Sequence, residues 1–277
     1  MNCKWGRRSR LPLFLFALSF LSLAQPRFEV ASIKVAESRG GRVSLTGGPG
    51  TATPTRFTAR RQTLLNLIAQ AYDVPPYLVD GPEWLQKAIP STPRFDVDAT
   101  VPPGATAEQF KAMFQNLLAE RFTLKAHRER RESAVYRLTA GKGEPKLHEN
   151  TDPPAPEGTE MTFGPKASDG FATIPRGMSN ILIDQSDGGM ALKCVRCNLT
   201  RLISLIGTFQ NGPVIDEIGL KGTYDVILRF SYGGANEHNF PELPAAIQEQ
   251  LNLKLVPGKA PVEFLVIDRA AKLPTGN

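Results

Sequence analysis

Cys194-Val195-Arg196-Cys197 is the one motif in this chain with chemistry of its own. Two thiols at that spacing, just ahead of a run that reads as a helix from about Leu199, can serve three ends. A helix N-terminus and the Arg196 guanidinium both favour a thiolate, which thiol–disulfide exchange requires. The same spacing also closes a local disulfide that braces a strand-to-helix turn. A zinc site would need two more ligands, and no second Cys-x-x-Cys or His-x-x-x-His lies near. The flanking Met190-Ala191-Leu192-Lys193 strand does not belong to the βαβ setting of a thioredoxin-type motif, which favours the bracing disulfide over the redox pair and the metal site.

Other polar constellations are weaker. His127, His148 and His238 are isolated, and no His-Glu-x-x-His occurs. Asp96 and Asp98 would share one face of a strand, but the second half of the chain has Asp225 and Ile227 at the matching places. A copied acid–base pair would keep both carboxylates, so solvent-facing positions are expected. Asp184 and Asp187-Gly188-Gly189 read as a turn rather than a calcium loop. The glycine-rich span from Gly40 to Gly50 lacks the Gly-Lys-Ser/Thr of a phosphate-binding loop, and no Gly-x-Ser-x-Gly elbow appears. In the basic run Lys125 to Arg131, alternation turns Lys125 and His127 to solvent and Leu124 and Ala126 inward. A charged strand that resists edge pairing is the plain reading, and a patch for an anionic ligand is the alternative. Trp84, in a proline-rich loop from Pro75 to Pro93, is expected to close one end of the core. Trp84, Lys125, His127 and Arg128 are therefore the candidate interaction surface. No catalytic residue, metal ligand set or cofactor-binding motif emerges.

Residues 1–24 read as an export signal. Lys4, Arg7, Arg8 and Arg10 precede an apolar stretch from Leu11 to Leu23, and Ser22-Leu23-Ala24 supplies small residues before Gln25. As a helix that stretch would span only about 20 Å, short of the roughly 30 Å hydrocarbon core. Cleavage without membrane insertion is expected, with the mature chain periplasmic or extracellular and its two remaining cysteines in an oxidising compartment. Cleavage also removes four of the 33 basic residues and none of the 27 acidic ones. The near-neutral remainder has little long-range attraction for nucleic acid. An unknown protein or a small-molecule ligand is the expected partner.

The elements that would position these residues come in two sets. Phe95-Asp96-Val97 recurs as Tyr224-Asp225-Val226, Glu120 as Glu249, and Leu124-Lys125 as Leu253-Lys254, all 129 residues apart. Leu64, Leu67 and Ile68 match Leu199, Leu202 and Ile203 at 135. Apolar character kept in step predicts two copies of one supersecondary unit, with one six-residue length change between the two blocks. Thr63 is a candidate N-cap for a helix over Leu64 to Ala71, and Thr106 with Gln109 has capping-box spacing ahead of Phe110, Met113, Phe114, Leu117 and Leu118. Strands are expected at Phe28 to Val35, Phe57 to Ala59 and Phe95 to Ala99. Phe122 to Ala126 and Ala134 to Ala140 read as two strands joined by a charged turn, Arg128 to Ser133. In the second copy, strands are expected around Leu253 to Val256 and Val262 to Asp268. The fold class is α+β: two related repeats, 25–142 and 171–277, each a small mainly antiparallel sheet with two helices on one face. Residues 143–170 form a Pro/Gly-rich linker or long loop.

Several strings resemble a known family. They are Phe28-Glu29-Val30-Ala31-Ser32-Ile33-Lys34, Arg56-Phe57-Thr58-Ala59 and Leu117-Leu118-Ala119-Glu120-Arg121-Phe122-Thr123-Leu124-Lys125 in the first half. Gly219-Leu220-Lys221-Gly222-Thr223-Tyr224-Asp225 and Lys259-Ala260-Pro261-Val262-Glu263-Phe264-Leu265-Val266-Ile267-Asp268 follow in the second. They are similar to hallmark strings of the uncharacterised exported proteins expanded in soil Acidobacteria, whose domain also occurs fused behind BlaR-type membrane metallopeptidases. The stretch Leu64 to Asp73 looks, more distantly, like the short N-terminal domain of secretins and TonB-dependent receptors. The resemblance implies export, two related α+β lobes and no known enzymatic activity, and the fusions point toward sensing or ligand binding. It carries over no catalytic residue, and Cys-x-x-Cys is not part of its common pattern. The expected function is a non-enzymatic binding or interaction module using exposed sheet edges and the cleft between lobes. The alternatives are a thiol–disulfide oxidoreductase acting through Cys194 and Cys197, or an extracytoplasmic hydrolase whose site does not show in sequence.

Overall fold

The capping box at Thr106 forms as the spacing predicts. Its hydroxyl accepts from the Gln109 N–H at 3.2 Å, and the Gln109 side chain accepts from the Thr106 N–H at 2.9 Å. Two otherwise orphaned donors at the helix start are thereby satisfied. The helix that follows buries Phe110, Met113, Phe114, Leu117, Leu118 and Phe122, and it ends at Thr123 in the left-handed region. The Thr63 cap also forms, accepting from the Asn66 N–H at 3.2 Å.

The computed structural model describes residues 26–37, 43–86, 92–156, 159–185, 189–232 and 240–276. The expected export signal, Gly40-Gly41, Asp187-Gly188 and His238 lie outside the described residues. In chain order the first half contains β1 (Val30–Val35), β2 (Ser44–Gly47), β3 (Arg56–Gln62), α1 (Leu64–Tyr72), β4 (Val79–Asp80), α2 (Glu83–Gln86), β5 (Phe95–Thr100), α3 (Ala107–Phe122) and β6 (Lys125–Ala140). The second half contains β7 (His148–Glu149), β8 (Asn180–Asp184), β9 (Gly189–Cys197), α4 (Leu199–Gln210), β10 (Val214–Asp216), β11 (Tyr224–Ser231), α5 (Leu243–Leu251) and β12 (Leu253–Arg269). The fold is α+β with three four-stranded sheets. One is antiparallel in the order β1-β5-β3-β2, and another is antiparallel in the order β7-β11-β9-β8. The third, β10-β6-β12-β4, has a long antiparallel pair at its centre and a short parallel strand on each side.

That third sheet corrects two expectations. One sheet per half was anticipated, and residues from Arg128 to Ser133 were expected to turn. They run straight through β6 instead, paired with β12 from Leu265 back to Ala260. The segment contains none of the Gly, Pro, Asn or Asp residues that favour turns, and an extended partner satisfies its backbone. Likewise β12 is one strand where two were expected, although it contains Pro257 and Pro261. Tyr136, opposite Pro257, sends its N–H away from β12 to the Pro213 carbonyl at 2.9 Å. Pro257 therefore sits where the missing N–H would face the open edge, and Pro261, four residues on, has the same orientation.

The length of β6 and β12 lets each strand serve two cores. The first core gathers Phe57, Phe95, Phe114, Phe122, Leu67 and Ile68, with Leu265 and Ile267 from β12. The second gathers Leu192, Phe230, Leu202, Ile206 and Ile247, with Leu138 from β6. Phe57 meets Phe110 and Phe114 edge-on at 5.0 and 5.2 Å between ring centres, a favoured aromatic arrangement. The two lobes also meet at the short 3-10 turn Pro76–Leu78, where the Tyr77 hydroxyl lies against α4. A Cβ at Gly207 would come within 2.6 Å of that hydroxyl, so glycine permits the approach.

One element was not anticipated. Val43-Ser44-Leu45-Thr46, inside the glycine-rich span, alternates weakly, and its last three residues with Gly47 form β2 against β3. Gly47 ends the strand at φ +84°, and a Cβ there would lie 1.9 Å from the Arg56 carbonyl oxygen. β2 is the edge of its sheet.

Candidate binding groove and the sequence-predicted sites

Cys194 and Cys197 form a disulfide with Cα atoms 5.7 Å apart. Both belong to the second core, at 0% and 1% exposure. The bridge spans a β-bulge: Cys194 pairs with Val226 and Cys197 with Tyr224, so two residues of β9 stand opposite one of β11. Arg196, within the bulge, has φ +50°, and its N–H donates to the Asp225 carboxylate at 2.9 Å. Exchange chemistry needs a thiolate to reach a sulfur, and burial blocks that approach in the folded chain. This geometry suits a brace.

The first lobe has the same bulge without the bridge. Ala59 pairs with Val97 and Gln62 with Phe95, Arg61 has φ +54°, and its N–H donates to Asp96 at 2.8 Å. Asp96 and Asp225 were expected merely to face solvent, but each fixes a strained backbone position in the neighbouring strand. The signal was present in the sequence, since Arg61 and Arg196 recur in step with the two aspartates. Asp98, by contrast, holds the Arg60 guanidinium with two hydrogen bonds at 2.6 and 3.1 Å.

The four candidate surface residues do not converge. Trp84 lies in α2, half-buried against the first core, with the Lys272 ammonium 5.6 Å from its ring centre. Lys125 and His127 are exposed, while Leu124 is buried and Ala126 half-buried, as alternation predicts. His127 Nδ1 lies 2.9 Å from Asp268. Arg128 projects from the opposite face of β6, donating to Glu263 at 2.5 Å and to the Tyr72 carbonyl at 3.3 Å. Arg131 is bonded to Asp80, and Arg137 to Glu217 at 2.8 Å. Most of the basic run is thus neutralised by acidic partners.

The most developed concavity lies along β2. Two adjoining cavities of about 390 and 350 Å³ share Leu45, Gln70 and Asp73 in their walls. One extends to Pro75, Pro76 and Ser204 of α4, where the lobes meet, and the other extends to Gly48, Phe57 and Phe110. Leu45 and Val43 leave 37% and 54% of their surface exposed beside it. Gln62, which is buried, donates to the Ser44 carbonyl at 3.0 Å and accepts from Asn66 at 3.3 Å, tying β2 to the start of α1. At the rim Lys111 donates to Asp73 at 2.6 Å. No histidine or cysteine lines the groove, and its one acid is already paired. This suits contact better than proton transfer or nucleophilic attack. Among the described residues, no group of three or more His, Cys, Asp or Glu side chains could hold a metal. Nor, among them, is any helix long and apolar enough to cross a membrane.

An α+β architecture with a braced bulge and an edge groove is what the fold and its surfaces define. The chain belongs to the family described as Protein of unknown function (DUF3738), whose profile matches residues 65–270. No curated protein and no solved structure matches it.

Proposed function

We propose that this chain is an exported, non-enzymatic binding module built from two copies of one α+β unit, and that it binds an extended polypeptide segment along β2. The observation that carries the reading is an unpaired edge strand bordered by an apolar-floored groove. An edge strand presents free backbone N–H and C=O groups, and an added strand satisfies them while its alternate side chains enter the groove.

The duplication is supported by the strand orders β1-β5-β3-β2 and β7-β11-β9-β8, and by the matching bulges at Arg61 and Arg196. It is supported again by the register of β6 and β12. Glu132 pairs with Pro261, its own counterpart 129 residues on, which is what a two-fold relation between the copies requires. Export is supported by the basic-then-apolar N-terminus and by the disulfide, which persists in oxidising compartments. Burial of both sulfurs weighs against an oxidoreductase, and the lack of a converging acid, base or nucleophile in the groove weighs against a hydrolase.

The test is peptide display against the mature chain, followed by calorimetry on the selected sequences. Leu45→Glu should weaken their binding at least about tenfold, since it places a charge in the desolvated contact. Ile183→Glu on β8, the other exposed edge, should leave it unchanged. Selected peptides that bind Leu45→Glu as well as wild type would overturn the assignment, as would turnover of a defined substrate abolished by a single substitution.

A further inference from the structure

The outer face of the β7-β11-β9-β8 sheet differs from its counterpart in the first lobe. β9 and β11 carry Lys193 and Arg229 there, while the aligned positions of β3 and β5 carry Thr58 and Thr100. A loop folds back over these two cations, closed by the isolated pairing of Lys166 with Ala172. Beneath it is a cavity of about 290 Å³. The charges in and beside it do not balance. Lys193 donates to the Asp169 carboxylate at 2.6 Å, and Lys166 to Asp184 at 3.3 Å. Arg229 has no carboxylate. Its Nη2 donates to the Asp169 carbonyl at 2.6 Å, and its guanidinium carbon lies 6.0 Å from the Phe171 ring centre. Among the described residues Nε and Nη1 have no partner. Much of the remaining wall is apolar, supplied by Phe171, Met190, Ala191 and Phe240.

We propose that this cavity binds a small monocarboxylate with a compact apolar body. The carboxylate would accept from Arg229, supplying the missing negative charge, and the body would lie against Phe171 and Met190. A guanidinium presents a planar fork of donors that matches a carboxylate, and a partly desolvated site strengthens that pairing. The volume sits at the lower end of small-molecule pockets, which sets the ligand's size. The site is on the other lobe from the β2 groove and does not depend on peptide binding there.

Phenylacetate is the probe, titrated into the mature chain and followed by amide chemical shifts. Saturable shifts are expected at Gly170 and Ala191, which line the cavity. The neutral isostere phenylacetamide should bind at least about tenfold more weakly, as should phenylacetate to Arg229→Gln, because a charge-assisted hydrogen bond is lost. Inorganic phosphate, which has no apolar body, should bind at least about tenfold more weakly as well. Ala191→Leu keeps every charge but fills the cavity, so it should abolish binding while preserving the fold by circular dichroism. That variant decides the matter if Arg229→Gln does not fold. The proposal is overturned if phenylacetate gives no saturable shift up to about 10 mM. It is equally overturned if Arg229→Gln or Ala191→Leu binds like wild type, or if phosphate binds as well as phenylacetate.

Discussion

Reducing the Cys194–Cys197 bridge should cost this fold about 2 kcal/mol while leaving its shape unchanged. The bridged residues are three apart, and the chain-entropy relation for so short a loop gives about 1.9 kcal/mol at 25 °C. The bulge itself should survive, because Arg196 is held independently by its N–H bond to Asp225. The bulge at Arg61 makes the same point, since it keeps its geometry with Ala59 and Gln62 in place of the cysteines. Urea unfolding with and without a phosphine reductant measures the loss. With a slope near 3 kcal/mol/M, the midpoint should fall by about 0.7 M and the native circular dichroism should not change. By linkage, the same 2 kcal/mol lowers the reduction potential by about 40 mV relative to the unfolded dithiol. Reduction by glutathione under native conditions should be slow, since both sulfurs are buried and must first be uncovered. A midpoint that is unchanged or higher in reductant, or rapid reduction of the folded protein, would refute the bracing role and restore the oxidoreductase reading.

Four further outcomes are expected. Phe114→Ala removes a fully buried ring packed edge-on against Phe57 and should cost about 3–5 kcal/mol in urea unfolding. Asp96→Ala leaves the Arg61 N–H without its acceptor and should cost about 1.5–3 kcal/mol. Asp98→Ala breaks only a half-exposed pair with Arg60 and should cost less than about 1 kcal/mol, so a reversed order would refute the bulge argument. Gly207→Ala should drive the Tyr77 ring off α4, visible as raised tyrosine accessibility to iodide quenching without loss of secondary structure. The fourth concerns pH. Hydrogen bonds from Lys193, and then from the Phe171 N–H, hold the Asp169 carboxyl below the ordinary aspartate value. A depressed native pKa gives stability that is complete above the unfolded value and lost as pH falls through the native one. The difference in thermal midpoint between wild type and Asp169→Asn should therefore hold from pH 7 to about 4 and shrink below it.

The legible parts of this fold were those written locally. Thr106 and Gln109 are three residues apart and cap α3 whatever packs on it, and the apolar spacing from Phe110 to Leu118 marks the buried side before any partner is known. The alternation from Leu124 to His127 assigned faces correctly for the same reason. Recurrences at 129 and 135 residues located corresponding elements in the two halves, and the recurring Arg61 and Asp96 held an unread clue to the bulge.

The course of β6 through Arg128 to Ser133 was not written locally. Those six residues are polar, so hydrophobic periodicity carries no strand signal there. What keeps them extended is β12, more than a hundred residues away, which brings backbone partners and Glu263 for Arg128. The β2 groove and the Arg229 cavity share that character. Leu45 meets Gln70 and Asp73, and Arg229 meets Phe171, only once distant segments pack. Helix caps, buried faces and element type follow from interactions among near neighbours in the chain, and the sequence determines those by itself. Which strands pair, which edge stays open and which charge is left without a counterion depend on contacts between remote segments, so the tertiary structure alone decided them.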